Sequence, residues 1–303
     1  MDNSSIMVTI RCLCYNHERY IRKCLEGFVM QKTNFRFEAI VHDDASTDKS
    51  ADIIREYAIR YPDIIKPIYE QENLYSKNDG SLRRVMDSCT RGKYIAICEG
   101  DDYWIDPLKL QKQVDFLESH NDYSMCFHNA IQLFVSSNSI SAFNDFREDS
   151  DLSVHDAIHK WLVPSASVVL RKEYMEYPEW LTKIYSGDYS LILRCMNGGK
   201  IYAFSDYMSV YRVDSGGYSA TARMKGKNVF MLNQKIALLE SFNKGTNYKF
   251  NDEICSRIRY LKEEVEFQQL KEEKSILLLF NLLFYKKLFY KFLNILLKTD
   301  IKD

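Results

Sequence analysis

The sequence lacks several features that would assign the protein to a broad class directly. Its formal net charge is only −1 over 303 residues, so no strong electrostatic field favours a nucleic acid as its partner. The chain does not open with basic residues followed by an apolar run, so we expect no signal peptide. It also has no uninterrupted apolar run of about 18 residues, which argues against a membrane-spanning helix.

The sequence also lacks cysteines at the CxxC spacing of redox and metal-binding motifs. The eight cysteines form no CxxC motif, and several lie in apolar runs, as Cys98 does after Ile97. In such a run a free thiol behaves as a small hydrophobic side chain. Since a chain of this length needs no disulfide framework, we expect reduced cysteines and a cytoplasmic protein.

The composition and the periodicity are those of a globular α/β protein. Apolar residues make up 46% and charged residues 27% of the chain, as in soluble domains. Short apolar runs alternate with amphipathic helical patterns, and the strands predicted from them are 7–13, 38–42, 64–69, 94–98 and 123–127. One predicted helix begins near residue 18, a second ends before Pro62, and a third begins at Asp106-Pro107. This order implies βαβ units and a mainly parallel sheet covered by helices.

The pattern changes in the second half of the chain. Residues 129–153 are polar and rich in Ser and Asn, which predicts loop or edge structure. Beyond them we predict a helix at 154–161, a strand at 167–171, a helix at 188–196, a strand at 200–204 and helices from about 226 onward. We therefore expect three regions, namely 1–128, 129–228 and a helical C-terminal extension over 229–303.

Two acidic clusters follow predicted strands. Glu99, Asp101 and Asp102 directly follow one strand, and Asp43 and Asp44 follow another. Ligands of open α/β sheets bind just beyond the carboxyl ends of the strands. Carboxylates grouped there suit Mg²⁺ or Mn²⁺ bound to substrate phosphates. The alternative is that these residues form solvated turns and cap the helices that follow.

Three segments carry a resemblance to a known family. They are 8–16, which contains Val-Thr-Ile and Cys-Tyr-Asn, 41–48, which reads Val-His-Asp-Asp-Ala-Ser-Thr-Asp, and 92–102, which runs from Gly-Lys-Tyr-Ile to Asp-Asp. In this order and spacing they resemble the family 2 glycosyltransferases of the GT-A fold. The resemblance implies a Rossmann-like, mainly parallel sheet and an enzyme that moves a sugar from a nucleotide donor to an acceptor hydroxyl.

The resemblance also implies roles for residues of the first half. Tyr15 would line the nucleobase pocket, and Asp44 would accept a hydrogen bond from the base, typically uracil. Arg83 would lie near the nucleotide. Asp101 would bind the ribose, and Asp102 would hold Mg²⁺ or Mn²⁺ on the diphosphate. The donor implied is therefore a nucleotide sugar, with UDP as the nucleotide.

In the second half the resemblance implies a catalytic base and a further metal ligand. Segment 186–194 matches the acidic motif that carries the family's base, which makes Asp188 the candidate, unless it only caps a helix. A single base that takes the proton of the acceptor hydroxyl, whose oxygen then attacks in line, predicts inversion at the anomeric carbon. Segment 211–217 resembles a YRxH loop in which Asp214 replaces the metal-binding His. Glu99 likewise replaces the first Asp of the usual DxD motif and keeps its charge.

Residues 276–298 are apolar and aromatic with interspersed lysines. This pattern is typical of a cationic amphipathic helix that lies on a membrane surface, and equally of a helix that packs on the protein itself or in a dimer. The first alternative would place the protein at the inner face of the plasma membrane, close to a lipid-linked acceptor.

Together these expectations describe an inverting, metal-dependent glycosyltransferase of surface polysaccharide or lipid-linked oligosaccharide synthesis. A sugar nucleotidyltransferase shares the general architecture but begins with a glycine-rich phosphate loop, and residues 12–17 contain no glycine. A non-catalytic module that binds a nucleotide sugar or a carbohydrate stays open as the alternative.

Overall fold

The computed structural model describes residues 5–178, 181, 187–213 and 228–272. The chain divides into two compact units, of which the first comprises 1–179 and 186–221 and the second comprises 180–185 and 222–303. Two predicted features, the metal ligand Asp214 and the amphipathic segment 276–298, lie outside the described residues.

The described part of the first unit contains strands and helices in alternation. Its strands are β1 (Ile6–Cys14), β2 (Arg36–Asp43), β3 (Ile65–Tyr69), β4 (Tyr94–Ile97), β5 (Tyr103–Trp104), β6 (Tyr123–Phe134), β7 (Ser139–Ala142), β8 (Ser150–Asp151), β9 (Val169–Arg171) and β10 (Lys200–Val213). Its helices are α1 (Ile21–Val29), α2 (Ser50–Arg60), α3 (Leu74–Lys77), α4 (Ser81–Cys89), α5 (Lys109–Ser119), α6 (Val154–His159) and α7 (Gly187–Gly198).

All of these strands belong to one sheet, with the order β3-β2-β1-β4-β9-β6-β10-β5 and with β7 and β8 paired to β6 and β10. β1 to β4 pair in parallel with one another, and so do β6 and β10. β9 is antiparallel to both β4 and β6. Because β9 reverses the direction, the carboxyl ends of β4, β6 and β10 reach the same edge of the sheet. The predicted mixed, mainly parallel sheet is confirmed.

The core lies where the apolar faces of the helices meet the sheet. In α1 the buried residues recur at helical spacing, from Ile21 through Leu25 to Phe28, and the alternating inner residues of β1, such as Ile10 and Cys12, are fully buried. β2 is buried along nearly its whole length, as expected for a central parallel strand that helices cover on both faces.

Two predicted strands of this unit are wrong in extent. The strand predicted at 123–127 continues as β6 to Phe134, whereas the rest of 129–153 is loop apart from the short strands β7 and β8, which agrees with the predicted loop or edge structure. The last strand does not stop near residue 204 but runs to Val213 alongside β6. Backbone pairing of the end of β6 with β10 and with β7 stabilises these longer strands, and the local sequence cannot reveal such distant partners.

The second unit is described as two helices, α8 (Asn228–Gly245) and α9 (Asn251–Glu272), which confirms the prediction of helix for these residues. They contact each other and are joined by a tight turn in which Asn247 and Tyr248 adopt positive φ angles. Phe242 and Leu261 are among the residues buried in this unit. Within the described residues, every helix is too short or too polar to cross a lipid bilayer.

Candidate active site

The loops that follow β1, β2 and β4 meet at one edge of the sheet. The amide of Asp44 donates a hydrogen bond to the carbonyl oxygen of Cys14 over 2.9 Å, and the amide of Gly100 donates to that of Leu13 over 2.8 Å. The parallel register therefore places the acidic strand ends side by side. The sequence prediction that both clusters lie at the carboxyl edge agrees with these contacts.

The loops after β1 and β2 are held together by side-chain hydrogen bonds. Asn16 has a φ of 57°, and its side-chain oxygen accepts a hydrogen bond from the amide of Thr47 over 2.8 Å. In return, the amide of Asn16 donates to the hydroxyl of Ser46 over 2.9 Å. The preceding residue, Tyr15, keeps 46% of its surface exposed, so its ring is accessible to a ligand at this edge.

Asp44 is almost fully buried and anchors the segment that follows β3. Its carboxylate accepts a hydrogen bond from the amide of Leu74 over 2.7 Å and another from the amide of Tyr75 over 3.0 Å. This anchor holds the first turn of α3, and the sequence predicted neither α3 nor α4. Asp43 is also buried, and one of its carboxylate oxygens has no partner among the described residues.

The carboxylates after β4 are held by the second half of the sheet. Asp102 is only 2% exposed, and its Oδ1 accepts a hydrogen bond from the amide of Arg212 over 2.8 Å. Glu99 accepts a hydrogen bond from the hydroxyl of Ser165 over 3.0 Å. Residues from the loop before β9 and from the end of β10 thus fix the acidic motif, although they lie far from it in the chain.

The electrostatics of this cluster are unfavourable to negative charge. Burial raises the pKa of Glu99 to about 7, and the nearby charges of Asp188 and Asp101 add to the effect. Burial, and then the charge of Asp101, raises the pKa of Asp102 well above its usual value. Several carboxyl groups therefore lie close together with few positive charges nearby, and a divalent cation would supply the positive charge that stabilises their ionised forms.

Arg212 is a site residue whose role sequence analysis missed. Its guanidinium donates a hydrogen bond to the carbonyl oxygen of Asp101 and lies 4.4 Å from the centre of the Tyr103 ring and 5.0 Å from that of Tyr20. The sequence pattern of this segment points only to Asp214, two residues further along the chain. The arginine itself, at the end of the strand that pairs with β5, is the residue that contacts the acidic motif.

Asp188 lies in the first turn of α7, one residue after its start at Gly187. The carboxyl edge of the sheet, which carries Asp44 and Asp102, is called the acidic edge. Because α7 leads into β10, whose carboxyl end is at the acidic edge, the first turn of the helix lies at that same edge. The side chain is accessible to solvent, and the protein around it nevertheless raises its pKa by desolvation. Its charge also raises the pKa of Glu99, so the predicted base lies close to the predicted metal-binding motif.

A further polar group of this edge, the imidazole of His17, is half-buried. Burial lowers the pKa of His17, while the charge of Asp101 opposes the shift. Its Nδ1 atom is buried without a partner among the described residues, and a Cβ at Gly100 would lie 2.9 Å from it. No pattern in the sequence distinguishes this histidine from an ordinary loop residue.

Comparison with known proteins decides the family. The sequence profile described as "Glycosyl transferase family 2" matches residues 12–213. The chain belongs to glycosyl transferase family 2. The match covers the carboxyl end of β1, both acidic clusters, α7 and β10, and hence the elements that form the site described above.

Relatives of this family 2 chain are found in several bacteria. An uncharacterized protein of Mycobacterium tuberculosis is 39% identical over 210 residues, which are 69% of this chain and 60% of that protein. TuaG of Bacillus subtilis, named as a teichuronic acid biosynthesis glycosyltransferase, is 22% identical over 81% of this chain and 94% of its own length. The chain thus spans about three fifths of the length of the mycobacterial relative.

Among solved structures, residues 1–349 of TarS of S. aureus in complex with UDP-GlcNAc resemble the chain with a TM-score of 0.59. The sequences are 17% identical, and the likeness covers 78% of this chain and 66% of that one. At this identity the likeness concerns the fold, and it confirms the predicted GT-A architecture.

Proposed function

We propose that the chain is an inverting, metal-dependent glycosyltransferase that moves a sugar from a nucleotide donor to an acceptor hydroxyl. The observation that carries the proposal is the convergence of Glu99, Asp102 and Asp188, whose pKa values are all raised, at one sheet edge. Titratable groups perturbed in this way cluster at functional sites more often than elsewhere.

The donor side of the proposal uses residues 1–128. Tyr15 would face the nucleobase, Asp44 would accept a hydrogen bond from the base, and Asp101 would bind the ribose. Arg83, in α4, would contact the nucleotide. The complex of TarS with UDP-GlcNAc supports UDP as the nucleotide of the donor.

Asp102 fits the part of a ligand for Mg²⁺ or Mn²⁺. One carboxylate oxygen is oriented by the amide of Arg212, and the other accepts no hydrogen bond from the described residues, so it can bind a cation. A bound cation supplies Lewis-acid stabilisation of the departing diphosphate. Asp214 would be a second ligand.

Residues 129–228 would bind the acceptor, and Asp188 would be the base. A carboxylate that takes the proton of the acceptor hydroxyl should have a pKa near the working pH, and desolvation moves the pKa of Asp188 in that direction. Attack from the face opposite the diphosphate inverts the anomeric carbon, so an α-linked donor would yield a β-glycoside.

The proposed acceptor is a surface polysaccharide or a lipid-linked oligosaccharide. The name of TuaG, which refers to teichuronic acid biosynthesis, supports a cell-surface polymer. Attachment of residues 276–298 to the cytoplasmic face of the membrane would bring the site close to such an acceptor.

The first experiment is a screen of nucleotide sugars for a Mn²⁺-dependent rise in the melting temperature, because a ligand that binds only the folded form stabilises it. Transfer is then measured with the donor found and with Asp188→Asn. We expect this variant to keep donor binding and to lose transfer by at least about 100-fold. Asp122→Asn, an exposed carboxylate at the amino end of β6, is the matched control.

The outcomes separate the two functions. An Asp188→Asn variant as active as the parent would refute the assignment of the base. Tight donor binding without any transfer by the parent would instead favour the non-catalytic binding module.

A further inference from the structure

Tyr177 contacts two guanidinium groups. The guanidinium carbon of Arg83 lies 4.3 Å from the centre of its ring, and that of Arg194 lies at the same distance. A cation over an aromatic face is attracted by the ring's quadrupole, more strongly where water is excluded. The ring therefore joins α4, which carries Arg83, to α7, which carries Arg194.

Of the two arginines, Arg194 is buried and hydrogen-bonded to the backbone. It is 7% exposed, and its Nη1 atom donates hydrogen bonds of 2.7–2.9 Å to the carbonyl oxygens of Tyr174, Met175 and Glu176. These bonds fasten the segment that precedes Tyr177 to α7. The hydrogen bonds of Arg194 therefore help to fix the position of the Tyr177 ring relative to α7.

Arg83 has a different environment. It is half-buried, and among the described residues its guanidinium forms a contact with the Tyr177 ring but donates no hydrogen bond and forms no ion pair. Its neighbour one turn along α4, Asp87, is already paired with Arg11 over 2.7 Å. The Tyr177 ring thus holds the guanidinium of Arg83 in place, while no described residue accepts a hydrogen bond from its N–H groups.

The topology places Arg83 at the acidic edge. α4 precedes β4, which is parallel to β1, so the first turn of α4 lies at the carboxyl edge of the sheet. Arg83 is in that first turn. The same argument places the first turn of α7, with Asp188, at this edge, so Tyr177 connects the donor side of the site with the helix of the candidate base.

We propose that Tyr177 is a positioning residue for Arg83, which it holds so that the guanidinium binds the diphosphate of a nucleoside diphosphate or nucleotide sugar. This inference rests on the proposed function. A planar guanidinium recognises phosphate oxygens through paired N–H groups. Holding it in place before binding lowers the entropic cost of ordering a long side chain.

The test is to titrate UDP and, in parallel, GDP into the protein by calorimetry in the presence of Mn²⁺. The nucleotide that the parent binds more tightly is used for the comparison. For this nucleotide, Tyr177→Leu should raise the Kd roughly tenfold. Tyr177→Phe, which keeps the ring face, should change the Kd less than about twofold. Melting curves verify that each variant is folded.

A matched control is Tyr61→Leu. The guanidinium carbon of Arg60 lies 5.2 Å from the Tyr61 ring, so this substitution also removes an arginine–tyrosine contact. Tyr61 follows α2 at the end that leads into β3, hence at the opposite edge of the sheet, and nucleotide binding should be unchanged.

A double-mutant cycle separates positioning from a general loss of structure. In an Arg83→Ala background, Tyr177→Leu should have no further effect on the Kd, because the group that it positions is absent. An equal effect of Tyr177→Leu with and without Arg83 would overturn the proposal, and so would an Arg83→Ala variant that binds as the parent does. If the parent binds neither nucleotide, the proposed function fails as well.

Discussion

Glu99→Gln tests the electrostatics of the site without depending on a known substrate. Burial and the charges of Asp188 and Asp101 raise the pKa of Glu99 to about 7 from its usual 4.5. The folded protein thus keeps a proton that the unfolded chain releases, and the free energy of unfolding falls as the pH rises from about 4.5 to about 7. This shift corresponds to about 3 kcal/mol at pH 8. Glutamine has no charge to develop, and its amide oxygen can still accept the Ser165 hydroxyl.

The assay is urea denaturation of the metal-free protein with a chelator present. Parent and variant should be about equally stable near pH 4, and the variant should be more stable by about 3 kcal/mol near pH 8. Added Mn²⁺ and UDP should stabilise the parent more than the variant, since the charge that weakens the metal-free fold favours a cation. Glu56→Gln, in an exposed pair with Arg22, should show no such gain. A difference that stays constant from about pH 4 to about pH 8 would refute the reasoning.

Three substitutions and one control substitution test the scaffold by chemical denaturation. Gly92→Ala should destabilise the fold by about 3 kcal/mol, because its Cβ would lie 2.4 Å from the backbone nitrogen of Thr9; Gly187→Ala, whose Cβ would meet nothing within 4 Å, should have a much smaller effect. Arg171→Leu should cost about 4 kcal/mol, since the buried guanidinium donates hydrogen bonds to three backbone carbonyl oxygens and a tyrosine hydroxyl; an unchanged midpoint would contradict this. Burial lowers the pKa of Lys109 from 10.5 to about 7, so the parent should gain stability as the pH rises from about 7 to about 10; Lys109→Met should remove that gain, and a persisting gain would show that other groups cause it.

The framework of the sheet could be predicted from the sequence because hydrophobic periodicity is a local property. β1, β2 and β4 were predicted within a residue or two of their observed ends, and so was the start of α7. The prediction was weakest where pairing comes from distant strands. The end of β6 and the last residues of β10 form strands because they pair with each other, and no short window of sequence contains both.

The sequence by itself determined which carboxylates reach the site. Asp44 and Asp102 follow buried parallel strands, and parallel strands joined by helices must bring their ends to one edge. Asp188 could be singled out only by its resemblance to a family motif, since an acid at a helix start is common.

Only the tertiary structure decided which groups act on one another at that edge. The amide of Arg212 reaches Asp102 across 110 positions of sequence, and the charge of Asp188 reaches Glu99 from another helix. Coulomb energy and desolvation depend on distance in space and on the exclusion of water. Neither quantity is encoded in the neighbours of a residue along the chain, so the raised pKa values and the contact of Tyr177 with Arg83 emerge only after folding.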